Sequence, residues 1–212
     1  MITISAYKWV PPFAQGQVRD LRARWACEEA GLPYKSKLIG FADQSTPEYR
    51  AWQPFGQVPA MEDDGLVLFE SGAIVLYLGE KSEVLLPRDP RGRARAITWL
   101  LCALNTIEVV VQQFGELFFH QKEEWAKARR PQLVQAVQKR LKELAAALGD
   151  KEFLEGRFTA GDLMMSTVFR ILDDDPEFLA AEPALAAYKA RCEARPAFRR
   201  ALQAQLDDFE KR

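Results

Sequence analysis

The stretch FGQVPAMEDDGLVLFESGAI, residues 55–74, constrains this chain more than any other. Two apolar runs, VPAME and LVLFE, flank Asp63-Asp64-Gly65. An acidic glycine turn between alternating hydrophobics is a strong hairpin signal. Pro59 stands at the head of the first run, and a proline has no N–H for a ladder, so the strand starts there or lies at an edge. An X-Pro bond is also where a cis peptide is least costly, because the tertiary amide cuts the trans preference to about 0.5–1 kcal/mol. In the cis form the N–H and C=O of Val58 turn away from the sheet, and an extended peptide can pair with them as an added strand. After the second run come Glu70 and Ser71, then SGAIVLYLGEK, a helix starting at Ser71. The Ser71 hydroxyl, its N–H and the positive helix end suit a carboxylate. Glu70 can accept from an ammonium group, and the Gln57 amide can bind either end of a peptide. Alone, Ser71 reads as an N-cap, Glu70 as a solvated charge and Pro59 as a trans edge proline; together, behind one hairpin, they read as a binding edge.

The neighbouring segments place that edge. ITISAY alternates as a first strand, and the two prolines of VPPFAQG end it. Residues 17–30 turn helical, with Val18, Leu21, Trp25 and Cys27 near one face and Gly31 as the stop. YKSKLIGF reads as a second strand, and STPEYRAW as a short helix capped by Ser45 or Thr46. The order β-α-β-α-β-β-α is that of a thioredoxin-like α/β domain with a mixed four-stranded sheet. LLPRDPRGR is the best boundary. The expected organisation is a domain over 1–82, a linker over 83–90 and an all-helical domain over 91–212. In the second domain, one long helix spans 91–121, and another runs from Pro131 to 148, before Gly149. Further helices begin near Thr159 and cover 177–192 and 196–210.

Composition narrows the chemistry. A net charge of −1 gives no electrostatic case for nucleic acid or an anionic membrane. The three cysteines, Cys27, Cys102 and Cys192, have no metal-type spacing, and an odd, scattered set favours a reducing compartment, here the cytoplasm. With His120 as the sole histidine, neither a zinc site nor a metal of any kind is expected. MITISAYKWV does not read as a signal peptide, and no unbroken apolar run reaches the roughly 18 residues of a membrane span.

GQVPAMEDDGLVLFESGAIVLYL resembles the glutathione-binding motif of the cytosolic glutathione transferases. A second signature lies in EGRFTAGDLMMSTVF, where Thr159 and Asp162 form a capping box like the one that folds the buried helix of that family's second domain. The resemblance implies a homodimer that binds glutathione as co-substrate and conjugates its thiolate to an apolar electrophile. Val58 and Pro59 would pair with the cysteinyl part, while Glu70, Ser71 and Gln57 would hold the peptide's ends. Asn105, in ALNTIE, approximately matches the place from which a partner's long helix reaches the γ-glutamyl group; the alternative is a solvated helix asparagine. The same fold also serves as a non-catalytic ligand or interaction module, or in glutathione-dependent disulfide or peroxide reduction.

Family members lower the thiol pKa with a Tyr, Ser or Cys near the end of strand one. In AYKWVPPFAQGQVRDLR that position is poorly matched: Pro11 or Pro12 aligns with the tyrosine, and no Ser, Thr or Cys lies between Ser5 and Cys27. Three donors stay open: the Tyr7 hydroxyl, the Gln15 amide, and backbone N–H groups of residues 14–17 at a helix start, with Phe13 or Trp9 as a wall. Arg19, Arg22 and Arg24 are further anion-binding candidates, and Arg22 is expected to pair with acidic groups at a domain interface. Cys27 is expected in the core and His120 at the surface.

Overall fold

A computed structural model describes residues 1–209. The chain divides into two compact units. The first comprises residues 1–88 and the described residues from Ala194 onward, and the second is Asp89–Glu193. The division after residue 88 falls in the Pro/Arg-rich connection. Sequence grouping places the last helix with the other helices, whereas that helix packs within the first unit.

In the first unit, β1 (Ile2–Tyr7), β2 (Tyr34–Ile39), β3 (Ala60–Asp63) and β4 (Leu66–Phe69) form one sheet in the order β2-β1-β3-β4. β1 pairs parallel to β2 and antiparallel to β3, and β3 and β4 form the hairpin, so the mixed sheet is as expected. Both turn residues between them have positive φ, Asp64 at 50° and Gly65 at 86°. That is the combination a two-residue hairpin favours and β-branched residues avoid. The Val58–Pro59 peptide is cis. α1 (Asp20–Ala30) ends on Gly31 in the left-handed conformation. α2 (Pro47–Arg50) is capped by Thr46, whose hydroxyl accepts the Tyr49 N–H. α3 is Ser71–Gly79.

α1 starts at Asp20 rather than residue 17, because Pro12–Ala14 form a separate 3-10 turn and the next residues follow it as turns. α1 packs on α3 and on the terminal helix, Pro196–Asp207.

The second unit is helical. α4 (Pro90–Cys102), a π-helical turn over Ala103–Glu108 and α5 (Val109–Glu116) run on, through a 3-10 turn, to His120. This run is long and apolar enough to cross a membrane by length and composition alone, although Asn105, Thr106 and Glu108 break its apolar residues into shorter stretches. Its Ala96, Leu100, Ala103, Ile107, Val111 and Phe114 are nevertheless buried, as in the core helix of a globular unit. α6 (Glu124–Leu148) begins ahead of the expected Pro131, which lies inside it. Burial of Ala126 and Leu133 on either side of that proline keeps the helix running despite the missing N–H.

α7 (Ala160–Phe169) is buried along its whole length. A Cβ on Gly161 would stand 2.5 Å from the Trp99 Cβ, so glycine permits the close approach of α7 to α4. The capping box forms, and Asp162 gathers more than the box requires. Its carboxylate accepts the Thr159 N–H at 2.8 Å, the Leu154 N–H at 2.9 Å and the Tyr188 hydroxyl at 2.9 Å. α8 (Glu177–Ala180) and α9 (Pro183–Glu193) split the segment expected as one helix, and α10 is the terminal helix Pro196–Asp207.

Candidate functional site

At the entry to β3, side chains from β1 and α2 form a directional relay. The Tyr49 hydroxyl donates to the Gln57 carbonyl at 2.6 Å and lies 2.8 Å from the Ser5 hydroxyl. Ser5 Oγ accepts the Ala60 N–H at 2.7 Å. A carbonyl only accepts, so the Tyr49 proton is committed to Gln57 and Ser5 is the donor to Tyr49. The chain is thus gripped on both sides of Val58 and Pro59. Burial pushes the Tyr49 phenol up to about 12, against the pull of the Ser5 hydrogen bond, so it remains a donor.

Val58 is buried in a cluster with Ile39 and Tyr49, and Tyr7 and Val18 pack against it. Gln57 is exposed one residue ahead. Just before it, Gly56 has φ 67°, and a Cβ there would meet the Gln44 carbonyl oxygen at 2.7 Å. The turn that delivers Gln57 therefore needs glycine.

The hairpin is tied to α3 through Asp63. That carboxylate accepts Lys81 Nζ at 2.6 Å and the Tyr77 hydroxyl at 3.0 Å, and Lys81 above all holds it below its usual range. Ser71 is the buried first residue of α3. Exposed Glu70 occupies the N-cap with φ 68°, a conformation L-residues other than Asn and Asp rarely adopt, and its side chain does not cap the helix. The first-turn N–H groups of α3 have no partner within the helix. Behind them, buried Arg22 donates Nη1 to Ser71 Oγ at 3.1 Å.

The first unit thus brings together Tyr7 and Val58 in one cluster, and Gln57 and Pro59 on one pinned segment. Phe13 is half-exposed on the 3-10 turn, and Asn105 stands exposed on the π-helical turn of the second unit. Such turns recur at functional positions.

Of the three thiol-activating options, backbone donation is largely removed. The N–H groups of Ala14, Gln15 and Gln17 donate to the carbonyls of Pro11, Pro12 and Ala14, at 2.9, 3.2 and 3.1 Å. No helix begins there to supply a positive end. Gln15 Nε2 donates to the Val10 carbonyl at 3.3 Å, bracing its own loop. Tyr7, at the end of β1, accepts Gln44 Nε2 at 2.5 Å, which leaves its phenolic proton uncommitted in that bond. Burial, then the nearby Asp20 carboxylate, pushes the Tyr7 phenol above its ordinary value, so it stays protonated.

Cys27 is fully buried, and its thiol is pushed up to about 12 by burial, which makes it an inert core residue. His120 lies against Glu123 at 3.1 Å and Glu116 at 3.8 Å. Among the described residues no group of His, Cys, Asp and Glu is arranged to hold a metal ion.

The sequence model of the "Glutathione S-transferase, N-terminal domain" matches residues 14–80, the segment that carries the hairpin, Glu70 and Ser71. A probable maleylacetoacetate isomerase 2 from Drosophila melanogaster is 31% identical over 189 residues, covering 76% of this chain and 82% of that protein. The chain belongs to the glutathione S-transferase family.

A solved glutathione transferase family member from Pseudomonas fluorescens, with two glutathione bound, superposes on this family member with a TM-score of 0.81. It is 30% identical and the match covers 94% of this chain and 92% of that one. The glutathione S-transferase-like protein gedE of Aspergillus terreus is 32% identical over 144 residues, 65% of this chain. The chain spans 33% to 60% of the length of the first curated relatives it matches.

Sequence reasoning missed Ser5, Tyr49 and Asp63 as the residues that set the site. Their signal was available only for Tyr49, on the buried face of a capped turn.

Proposed function

We propose that the first unit binds glutathione and that the protein adds its thiolate to an apolar electrophile. The observation that carries this is the pair of fixed features on one hairpin: the Gln57–Ala60 segment gripped by Tyr49 and Ser5, and the Ser71 start of α3. The Val58 backbone pairs with the cysteinyl part, and Gln57 holds one end of the tripeptide. Ser71 takes the γ-glutamyl carboxylate and Glu70 its ammonium. The relative from Pseudomonas fluorescens, which holds glutathione, supports the choice of ligand.

Tyr7 is the donor to the sulfur. A hydrogen bond to a charged acceptor contributes about 1.5–3 kcal/mol, so Tyr7→Phe lowers kcat toward a halodinitrobenzene roughly 10- to 100-fold. Gln15→Ala changes it little, because that amide braces a loop. Calorimetric titration with glutathione is the first test: no binding at millimolar concentration sinks the reading. Binding without turnover of any electrophile would assign the protein a carrier role instead.

A second copy completes the assembly in this reading. β4 is an edge strand that exposes Leu66, Val67 and Phe69, with Phe55 packed on Phe69 at 6.0 Å between ring centres. An apolar edge of this kind is normally covered, and Asn105 is the residue offered to the partner's γ-glutamyl site. A monomer by sedimentation at micromolar concentration would remove the dimer and this role for Asn105.

A further inference from the structure

The 3-10 turn that follows β2, Phe41–Ser45, meets Tyr7 at two points. In a 3-10 helix side chains three residues apart eclipse, so Phe41 and Gln44 stand on one face. The Phe41 ring lies against the Tyr7 ring, with 5.1 Å between centres at 48°, and Gln44 Nε2 donates to the Tyr7 hydroxyl at 2.5 Å. The turn is closed on itself. The Asp43 N–H donates to the Gly40 carbonyl at 3.1 Å, and the Thr46 N–H to the Asp43 carbonyl at 3.0 Å. The Asp43 carboxylate takes the Gly40 N–H at 2.7 Å. The end of β1 is fixed as well, because the Lys8 N–H donates to the Ile39 carbonyl at 3.0 Å.

An amide carries its hydrogens on nitrogen, so Tyr7 Oη is the acceptor in this pair. The donated hydrogen and the phenolic hydrogen cannot occupy the same side of the oxygen, and the Tyr7 proton is turned away from Gln44. No other group among the described residues bonds this hydroxyl. Two neighbours that could take the proton are engaged: the Tyr49 hydroxyl accepts from Ser5 and gives its own proton to the Gln57 carbonyl, and the Asp20 carboxylate accepts Arg24 and Gln205. Tyr7 also packs on Val58, whose backbone holds the cysteinyl part in the proposed complex, so its proton is on offer beside the segment that carries the sulfur. A bond accepted from the amide polarises the phenol and strengthens it as a donor. Without Gln44 the hydroxyl could present a lone pair as readily as its proton, and a lone pair repels a thiolate.

We infer that Gln44 is a positioning residue that commits the Tyr7 hydroxyl as a donor to the thiolate of bound glutathione, while Phe41 on the same turn holds the ring. The inference rests on the proposed role of Tyr7 and adds to it a residue from a different element, 37 positions along the chain. Gln44 acts through Tyr7 and need not touch the ligand.

The test uses the full chain with glutathione bound and follows the ultraviolet absorbance of the thiolate against pH. Gln44→Met keeps the length of the side chain and removes the donor. It is expected to raise the pKa of the bound thiol by about half a unit, and so to lower kcat/KM toward a halodinitrobenzene about threefold below that pKa while leaving the plateau at high pH within about twofold. Gln44→Glu, which offers Tyr7 an acceptor instead, is expected to raise the thiol pKa further. In a Tyr7→Phe background Gln44→Met is expected to add no measurable shift. S-methylglutathione has no thiol proton to lose, and its affinity in calorimetric titration should be unchanged by Gln44→Met. A thiol pKa that Gln44→Met leaves in place, or a shift that persists in full without the Tyr7 hydroxyl, overturns the inference. Weakened binding of S-methylglutathione also overturns it, since Gln44 would then shape the pocket itself. Thermal denaturation checks that each variant is folded. If Gln44→Met does not fold, Gln44→Glu decides it: no rise in the thiol pKa overturns it. A thiol pKa unmoved by Tyr7→Phe removes the proposed donor together with the inference. A rise in Tyr7→Phe without one in Gln44→Met removes only the inference.

Discussion

Two buried acids, one in each unit, sit in the first turn of a helix and are satisfied in opposite ways. Asp162 in α7 accepts bonds from Thr159, Leu154 and Tyr188, all within its own unit and two of them within eight residues in sequence. Asp20 in α1 accepts Arg24 Nε at 2.7 Å one turn on and Gln205 Nε2 at 2.7 Å from α10. Arg24 also reaches Asp208 at 2.6 Å and the Ala204 carbonyl, and Ser36 donates to the same Asp208 oxygen. Asp162 is held by neutral donors as a local fold device. Asp20 belongs to a charged network that fastens the C-terminal helix to the first unit, between α1 and β2.

That contrast predicts where each acid is most sensitive. Asp162→Ala strands the Thr159 and Leu154 N–H groups and the Tyr188 hydroxyl, at about 1–3 kcal/mol each when buried. Urea unfolding should show a loss of about 4 kcal/mol, the largest effect here, and a loss below about 1 kcal/mol would break the picture of a local hub.

Arg24→Met should cost about 3 kcal/mol, because removing one partner of a buried pair leaves an uncompensated carboxylate. The loss should be smaller in an Asp20→Asn background, and equal losses in both backgrounds would show that Asp208 and packing, rather than Asp20, depend on Arg24.

A pH series sharpens the comparison further. Burial pushes the Asp20 carboxyl up to about 6, although Arg24 and Gln205 pull it down. A carboxyl whose folded value is raised binds more protons in the native state than in the unfolded chain. Its contribution to stability is complete below the unfolded value near 4 and is lost as pH rises through 6. Relative to Asp20→Asn, the wild type should lose about 2 to 3 kcal/mol between pH 4 and pH 7. A difference that stays flat, or rises with pH, would show that the native state holds Asp20 as a carboxylate throughout.

The smallest expected effect concerns the site edge, which resembles Asp20 in depending on remote partners. Tyr49→Phe removes the grip on Gln57 and should cost about 1 kcal/mol of stability. It should also weaken glutathione binding several-fold in the same titration, with Thr46→Ala, which removes the α2 cap and the hydrogen bond to the Asp43 carbonyl but keeps the Tyr49 hydroxyl, as a control that leaves affinity unchanged.

Legibility followed the same division. The hairpin, Ser71 as the start of α3, the Gly31 stop and the Thr159–Asp162 box all depend on residues a few positions apart. A turn or cap is chosen by local φ/ψ and local hydrogen bonds, so their types are written in adjacent letters. The start of α1, the run of α6 through Pro131 and the carbonyls that take up the N–H groups of Ala14, Gln15 and Gln17 were not legible. Each was decided by contacts or competing acceptors that a periodic pattern does not display.

By itself, the sequence determined the family, the mixed four-stranded sheet and the candidate binding edge from Gln57 to Ser71. Only the tertiary structure decided that Ser5 and Tyr49 clamp that edge, that Tyr7 keeps a free phenolic proton in its bond with Gln44, and that Arg22 stands behind Ser71. These pairs lie far apart along the chain, and which partner a buried polar group finds is settled by how the elements pack. The same desolvation cost that forces every buried donor to find an acceptor leaves no trace in sequence spacing.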